Sequence, residues 1–139
     1  MTLIAWNASH ETGYSPMDAE HMRLAGLLNE LHDDLLQGSS LTLIETEFQR
    51  IARDTASHFR HEERLMEKSS FPDSPNHLLA HQQLEAQIAD LLRQIDAGEP
   101  VFTLDLVEFL RNWLLNHITT MDKKLGEYLT TSLAADSPR

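Results

Sequence analysis

The chain has 139 residues, with 22 acidic and 11 basic side chains, a formal net charge of −11 and no cysteine. This length suits one domain with its own hydrophobic core, so we predict a single domain over residues 1–139. The charge argues against nucleic-acid binding, and the missing cysteines exclude disulfides, thiolate metal sites and a cysteine nucleophile.

Two further features of the composition bear on fold and location. Glycine and proline number only five each, and runs of β-branched residues are short, which favours an all-α fold. No apolar run approaches the ~20 residues of a membrane span, and no basic segment followed by an apolar run opens the chain. We therefore expect a cytoplasmic protein without a membrane span, and we favour a monomer.

The first predicted helix follows an N-terminal arm. Residues 1–14 lack a helical period, whereas a helix is predicted over roughly 16–37. Ser15 is the expected N-cap, with Pro16 at the first helical position and Asp18 completing a capping box. The inward face of this helix has spacings of three and four and comprises His21, Leu24, Leu28, Leu31 and Leu35. A histidine is thus placed on the core side near the start of the helix.

The second helix, predicted over roughly 42–68 with a capping box of Thr42 and Glu45, contains the most informative stretch. Its apolar rhythm begins with Ile44, Phe48 and Ile51. The same rhythm continues through Thr55, His58, Glu62 and Met66. An imidazole and a carboxylate therefore lie one turn apart on the inward face. A buried carboxylate costs several kcal/mol unless it is paired or binds a metal.

The third helix, predicted over roughly 75–96, repeats the Ser-Pro start signal and carries two histidines near its beginning, His77 and His81. The fourth, over roughly 101–130, carries His117 late on its inward face. The inward face then resumes at Asp122, five residues later, so the apolar register slips by one residue. A single π-helical turn produces such a slip and favours functional sites. We predict one within residues 116–123.

Short connections between four amphipathic helices favour an up-down-up-down antiparallel bundle. In that topology the starts of the first and third helices and the ends of the second and fourth lie at the same end. The metal-binding residue types predicted to converge there are His21, His58, Glu62, His77, His81, His117 and Asp122. Off this face or away from this end lie His10, His32, His61, Glu63 and Glu67, which we predict on the surface.

This set of ligands exceeds the three or four that a single zinc ion uses. Imidazole and carboxylate without thiolate suit iron, manganese or zinc. We interpret the set as two metal ions bridged by Glu62 and Asp122, with the five histidines shared three and two. If both ions are six-coordinate and share a bridging oxygen, the ion with two histidines keeps one open position for an external ligand.

Four motifs together resemble those of the hemerythrin family, in particular its single-domain bacterial type. They are Asp18-Ala19-Glu20-His21, His58-Phe59-x-x-Glu62-Glu63-x-x-Met66, His77-x-x-x-His81, and Trp113-Leu114-x-x-His117-Ile118-x-x-x-Asp122. The resemblance implies a non-haem di-iron centre that binds dioxygen reversibly. It assigns His77, His81 and His117 to one iron. The other iron receives His21 and His58.

By the same resemblance, Glu62, Asp122 and an oxo or hydroxo group bridge the two irons. Dioxygen would bind in an apolar pocket formed by Phe59, Trp113, Leu114 and Ile118. The implied role is an oxygen carrier, store or delivery protein rather than an enzyme, with an oxygen-consuming enzyme as a candidate recipient.

Three alternatives stay open at this stage: a di-iron enzyme that handles peroxide or nitric oxide, an oxygen sensor acting in trans, and a zinc or manganese occupant. The sequence contains no Glu-x-x-His, the motif of carboxylate-rich di-iron oxidases and ferritins. This absence argues against those two classes.

Overall fold

The computed structural model describes residues 3–136 and forms the predicted all-α four-helix bundle. Its helices are α1 (Ser15–Leu36), α2 (Leu41–Ser69), α3 (Ser74–Asp96), α4 (Leu104–His117) and α5 (Lys123–Asp136). A π-helical turn, Ile118–Asp122, joins the last two into one continuous fourth helix of the bundle. Residues 1 and 2 of the predicted arm lie outside the described residues. No helix of the described part has both the length and the apolar character of a membrane span.

The starts of the first two helices differ from the prediction. Helix α2 is capped by Ser40, whose hydroxyl accepts a hydrogen bond from the Leu43 N–H at 3.2 Å, so the predicted box of Thr42 and Glu45 is wrong. In α1, Ser15 is the first helical residue rather than the N-cap, and no side chain caps this end. In both cases the helix begins one residue earlier than predicted, because a neighbouring residue with extended backbone serves as N-cap.

The fourth helix starts later than predicted. It begins at Leu104 rather than near residue 101, and the hydroxyl of Thr103 accepts a hydrogen bond from the Leu106 N–H at 3.2 Å. Short backbone turns occupy the preceding residues, with the Val101 N–H bonded to the Glu99 carbonyl at 3.0 Å. The capping hydroxyl competes with helix formation at its own position and so fixes the start.

The N-terminal arm packs against the bundle beside the predicted site. The Asp18 carboxylate, expected to cap α1, instead accepts hydrogen bonds from the N–H and hydroxyl of Thr12, both at 2.8 Å. Gly126 permits this approach, because a Cβ there would lie 2.6 Å from the Thr12 carbonyl oxygen. Further along the arm, the Trp6 ring lies with its centroid 6.4 Å from that of His21. The arm therefore covers one edge of the histidine cluster.

A buried acidic side chain lies between α1 and α2. Glu47 is 7% exposed, and its Oε2 has no hydrogen-bond partner. Burial, a hydrogen bond shared with Asp34 and the negative charges of Asp34 and Glu30 raise the pKa of Glu47 to about 7. The folded protein therefore keeps the proton on Glu47 up to a higher pH than an exposed glutamate would.

We expect Glu47→Gln to stabilise the protein above pH 7. Because the folded-state pKa exceeds the ordinary value of 4.5, Glu47 contributes its full stability below pH 4.5 and loses it as the pH rises through 7. The neutral amide avoids this loss, so the variant should gain about 1–2 kcal/mol at pH 8 and nothing at pH 4.5. Urea unfolding at both pH values measures the difference. Glu108→Gln, on the exposed surface of α4, is the matched control.

Candidate metal centre

All seven predicted ligands meet at one end of the bundle and are buried. None is more than 5% exposed, and they are His21, His58, Glu62, His77, His81, His117 and Asp122. Their ligand atoms form two groups, in each of which every atom lies within 4.8 Å of the others. One group is Glu62, His77, His81 and His117, and the other is His21, His58, Glu62 and Asp122. The carboxylate Glu62 belongs to both groups.

The predicted π-helical turn is present and brings Asp122 into the site. The N–H of Lys123 donates to the Ile118 carbonyl, which is the i to i+5 bond of a π-helix. Hydroxyl groups satisfy carbonyls around the turn, since Thr119 Oγ1 donates to the Leu115 carbonyl at 2.9 Å. Thr120 Oγ1 does the same to the Asn116 carbonyl at 2.7 Å. The two adjacent threonines are therefore a second sequence signal for the π-helical turn, beside the slip in apolar register.

Glu62 directs its two oxygens to different histidines. Oε1 lies 3.0 Å from His77 Nε2 and 3.1 Å from His81 Nε2. Oε2 lies 3.3 Å from His21 Nε2 and 2.5 Å from His58 Nε2. One oxygen of the carboxylate thus faces the group with three histidines and the other faces the group with two.

Asp122 repeats the same division. Its Oδ1 lies 3.0 Å from His77 Nε2 and 3.1 Å from His117 Nε2. Its Oδ2 lies 2.9 Å from His21 Nε2. Both carboxylates therefore span the two histidine groups.

The spacing of these atoms fits metal binding. Two ligand atoms that bind one ion at ~2.1 Å and at right angles lie ~3.0 Å apart, close to most of the nitrogen–oxygen distances here. His58 Nε2, His117 Nε2 and both oxygens of Asp122 are buried without a hydrogen-bond partner, although opposite atoms lie this close. Atoms in contact that do not align as hydrogen bonds are expected where they point to a common ion.

The site holds both carboxylates in their charged form. Burial would raise the pKa of Glu62, but the His58 charge and hydrogen bonds from the surrounding histidines hold it well below its usual value. Burial and the charge of Glu62 likewise act to raise the pKa of Asp122. The close imidazoles of His117, His21 and His77 outweigh them, and this pKa is also lowered. The charged carboxylates favour the binding of cations in this buried site.

In the absence of metal, the same carboxylates raise the pKa of their histidine neighbours. Burial alone would lower the pKa of His58, but the Glu62 charge, a hydrogen bond to Glu20 and the close contact with Glu62 raise it to about 10. Burial is similarly outweighed at His77, where Asp122 and Glu62 raise the pKa to about 9. Both imidazoles must release a proton before they bind a metal ion.

Two carboxylates behind the site were missed by the sequence analysis. Glu63, predicted on the surface, is half-buried and accepts a hydrogen bond from His81 Nδ1 at 3.0 Å. Glu20 accepts hydrogen bonds from His58 Nδ1 at 2.8 Å and from His61 Nδ1 at 2.9 Å. The surface prediction is therefore wrong for Glu63 and incomplete for His61, whose side chain is 29% exposed. Each missed carboxylate stands directly beside a predicted ligand in the sequence.

The remaining surface predictions have mixed outcomes. Glu67 is exposed, as predicted. His10 ends a short 3-10 turn of the arm, packs against the Trp6 ring and accepts a hydrogen bond from the Asn7 N–H at 3.2 Å. His32 is only 16% exposed, so its surface assignment is wrong, although it lies away from the metal-binding residues.

Aromatic rings and an apolar cavity flank the histidines. Phe59 stacks on His81 with centroids 3.8 Å apart, and Trp113 stacks on His117 at 4.5 Å. Both rings line a cavity of about 30 Å³, together with Leu114. Ile118, the fourth predicted pocket residue, is fully buried in the same core but does not line this cavity. A cavity needs about 10–15 Å³ to hold one water molecule, so this cavity has room for a diatomic molecule.

Comparison with known proteins identifies similar chains. The family described as Hemerythrin HHE cation binding domain matches residues 12–129. A bacteriohemerythrin of Methylococcus capsulatus is 31% identical, over 94% of this chain and 99% of its own length. A myohemerythrin of Riftia pachyptila is 28% identical, over 86% of this chain and 88% of its own length.

Solved structures agree with the sequence matches. A crystal structure of wild-type hemerythrin superposes with a TM-score of 0.86 at 30% identity, covering 92% of this chain and 98% of the hemerythrin. A crystal structure of a hemerythrin point mutant superposes with a TM-score of 0.89 at 30% identity, covering 94% of this chain and 99% of its own. The similarity therefore extends over the whole bundle.

Proposed function

This chain belongs to the hemerythrin family, whose members are oxygen-binding proteins, and we propose that it binds dioxygen reversibly at a non-haem di-iron centre. The proposed roles are oxygen transport, storage or delivery. When bound, iron(II) supplies the electrons that hold dioxygen reversibly. The protein would supply the ligands and exclude water. We also propose that residues 1–139 form a single domain.

The observation that carries the proposal is the division of carboxylate oxygens described above. Because Glu62 and Asp122 each face both histidine groups, we assign them as the bridges of a metal pair. The histidines assigned to one iron are His77, His81 and His117, and those assigned to the other are His21 and His58. An oxo or hydroxo bridge completes the proposed pair.

This ligand set leaves the two irons unequal. Three histidines, two carboxylate oxygens and the bridging oxygen give six ligands to the first iron. Two histidines, the other oxygen of each carboxylate and the shared bridging oxygen would give five ligands to the second, so the open position would lie on the side of His21 and His58. Dioxygen is proposed to bind there.

The apolar cavity supports reversible binding rather than turnover. The side chains of Phe59, Trp113 and Leu114 offer few polar groups, and an apolar lining withholds the water and protons that would release reduced oxygen from the site. Together with the buried Ile118, we propose these residues as the oxygen pocket.

Visible absorption spectra test the proposal directly. The protein is loaded anaerobically with iron(II), and spectra are taken before oxygen, after oxygen and after argon purging. We expect a colourless reduced form, a visible band with oxygen and bleaching under argon. An irreversible colour change with release of peroxide would instead indicate an enzyme or scavenger.

Replacing Leu114 with asparagine should speed autoxidation several-fold, because a polar side chain of similar size brings water and a proton source into the cavity. The lifetime of the oxygenated visible band measures this effect. Leu79→Asn is the matched control, since Leu79 is 52% exposed on α3 and contributes nothing to the cavity. Equal lifetimes for the two variants would contradict the role of Leu114.

A further inference from the structure

We propose that Glu20 and Glu63 are positioning residues that make the two metal positions electronically unequal. An arginine compensates the negative charge of Glu63, whereas no arginine or lysine among the described side chains compensates that of Glu20. Each carboxylate accepts the outer N–H of one proposed ligand, His58 for Glu20 and His81 for Glu63. The inference rests on the proposed metal centre, and it adds a difference in donor strength to the difference in ligand number.

On the side with three histidines, Glu63 is held by a guanidinium. Arg60 Nε lies 3.0 Å from Glu63 Oε1, and Arg60 Nη2 lies 3.1 Å from Oε2, the oxygen that also accepts from His81 Nδ1. Arg60 is itself placed by a second ion pair with Glu85 on α3. A bidentate arginine withdraws electron density from the Glu63 carboxylate. The carboxylate is then a weaker acceptor for the N–H of His81.

On the side with two histidines, Glu20 has no such cation among the described side chains. Its Oε1 accepts two imidazole N–H groups, from His58 and His61. Within residues 3–131, no arginine or lysine forms an ion pair with Glu20, and the nearby Arg23 pairs with Asp54 at 2.6 Å instead. The described side chains that pair with Glu20, which is 35% exposed, are therefore imidazoles alone.

The physical consequence concerns how strongly each histidine donates to a metal. An imidazole whose outer N–H donates to a carboxylate becomes a more basic ligand, and the gain grows with the charge on the accepting oxygen. His58 should therefore be a stronger donor than His81. Its partner His21 receives no such help within the described part of the chain, where His21 Nδ1 has no hydrogen-bond partner. Glu20 thus acts through His58 on the metal position proposed to have the open site.

Cobalt(II) binding to metal-free protein tests this inference without oxygen chemistry. Glu20→Gln keeps the shape of the side chain and removes its charge. The cobalt affinity of the metal position that contains His58 should therefore fall about tenfold or more. The paramagnetically shifted His58 N–H proton should also move in the proton NMR spectrum. Glu63→Gln should have a smaller effect, because Arg60 already compensates that charge.

Arg60→Gln should act in the opposite direction. Freed from the guanidinium, Glu63 should strengthen His81 as a donor, so cobalt binds more tightly and the His81 N–H resonance shifts. In iron-loaded protein, the midpoint potential should become more negative in Arg60→Gln and more positive in Glu20→Gln.

Two controls separate these effects from the general influence of charge. Glu67→Gln and Arg64→Gln make the same charge changes at exposed positions of α2. If each test variant matches its control in N–H shift and potential, the inference is overturned while the metal centre stands. If wild-type protein fails to bind two cobalt ions, the proposed centre itself is wrong.

Discussion

Alanine at position 62 should remove at least one of the two iron ions. Glu62 is the one residue common to both groups of ligand atoms, and it offers an oxygen to each. Its loss takes one ligand from each metal and removes one of the two carboxylates whose negative charge faces the histidines. We expect iron content to fall from two ions per chain to one or none.

Iron per chain, measured after anaerobic loading and desalting, decides this prediction. Asp122→Ala should behave in the same way, because its two oxygens also face both histidine groups. Glu67→Ala is the control, an acidic residue of the same helix that is exposed. Circular dichroism establishes that each variant remains helical. Two full iron equivalents in folded Glu62→Ala or Asp122→Ala would refute the bridging assignment.

The inward positions of the ligands could be predicted because one physical rule places them all. A helix in a bundle buries a face with spacings of three and four, so a histidine or carboxylate on that face is buried whatever its partners are. The same rule exposed the irregularity after His117. A regular α-helical spacing after His117 would have placed a residue other than Asp122 on the inward face. The apolar residues after Asp122 follow its register, so the helix needs one extra residue in this turn.

The helix starts were harder to predict because several hydroxyl and carboxylate groups compete for each end. Ser40 precedes Thr42, and either residue can cap α2. Asp18 has the sequence position of a capping-box acid, yet its carboxylate binds Thr12 in the arm. That contact depends on the close approach of the arm to Gly126, more than a hundred residues away, which local patterns do not reveal.

The supporting carboxylates were missed for a different reason. Glu20 and Glu63 each stand next to a ligand in the sequence, about 100° away around the helix, and such positions lie at the boundary between neighbouring helices. The pattern of inward residues assigns them to solvent. Only the packing of α2 against α1 and α3 turns them towards His58 and His81. A search for acids beside each predicted ligand would have found both.

Metal-free protein should lose stability as the pH rises from about 6.5 to 10. The folded-state pKa values of His58 and His77, about 10 and about 9, exceed the ordinary value of 6.5. Their protonated forms therefore contribute stability that is complete below pH 6.5 and is lost as the pH rises through 9 and 10. We expect a loss of several kcal/mol across this window, since each pKa unit corresponds to about 1.4 kcal/mol.

Metal-loaded protein should lack this dependence, because imidazoles that bind a metal carry no proton at the binding nitrogen over the same range. Urea unfolding at pH 6, 8 and 9.5, with chelator or with bound zinc, measures the contrast. Glu47→Gln is the best background for both samples, because Glu47 adds its own loss of stability up to pH 7. The two samples differ only in the bound metal, so the difference between their pH dependences isolates the site. A metal-free protein as stable at pH 9.5 as at pH 6 would mean that the buried carboxylates do not hold these histidines protonated.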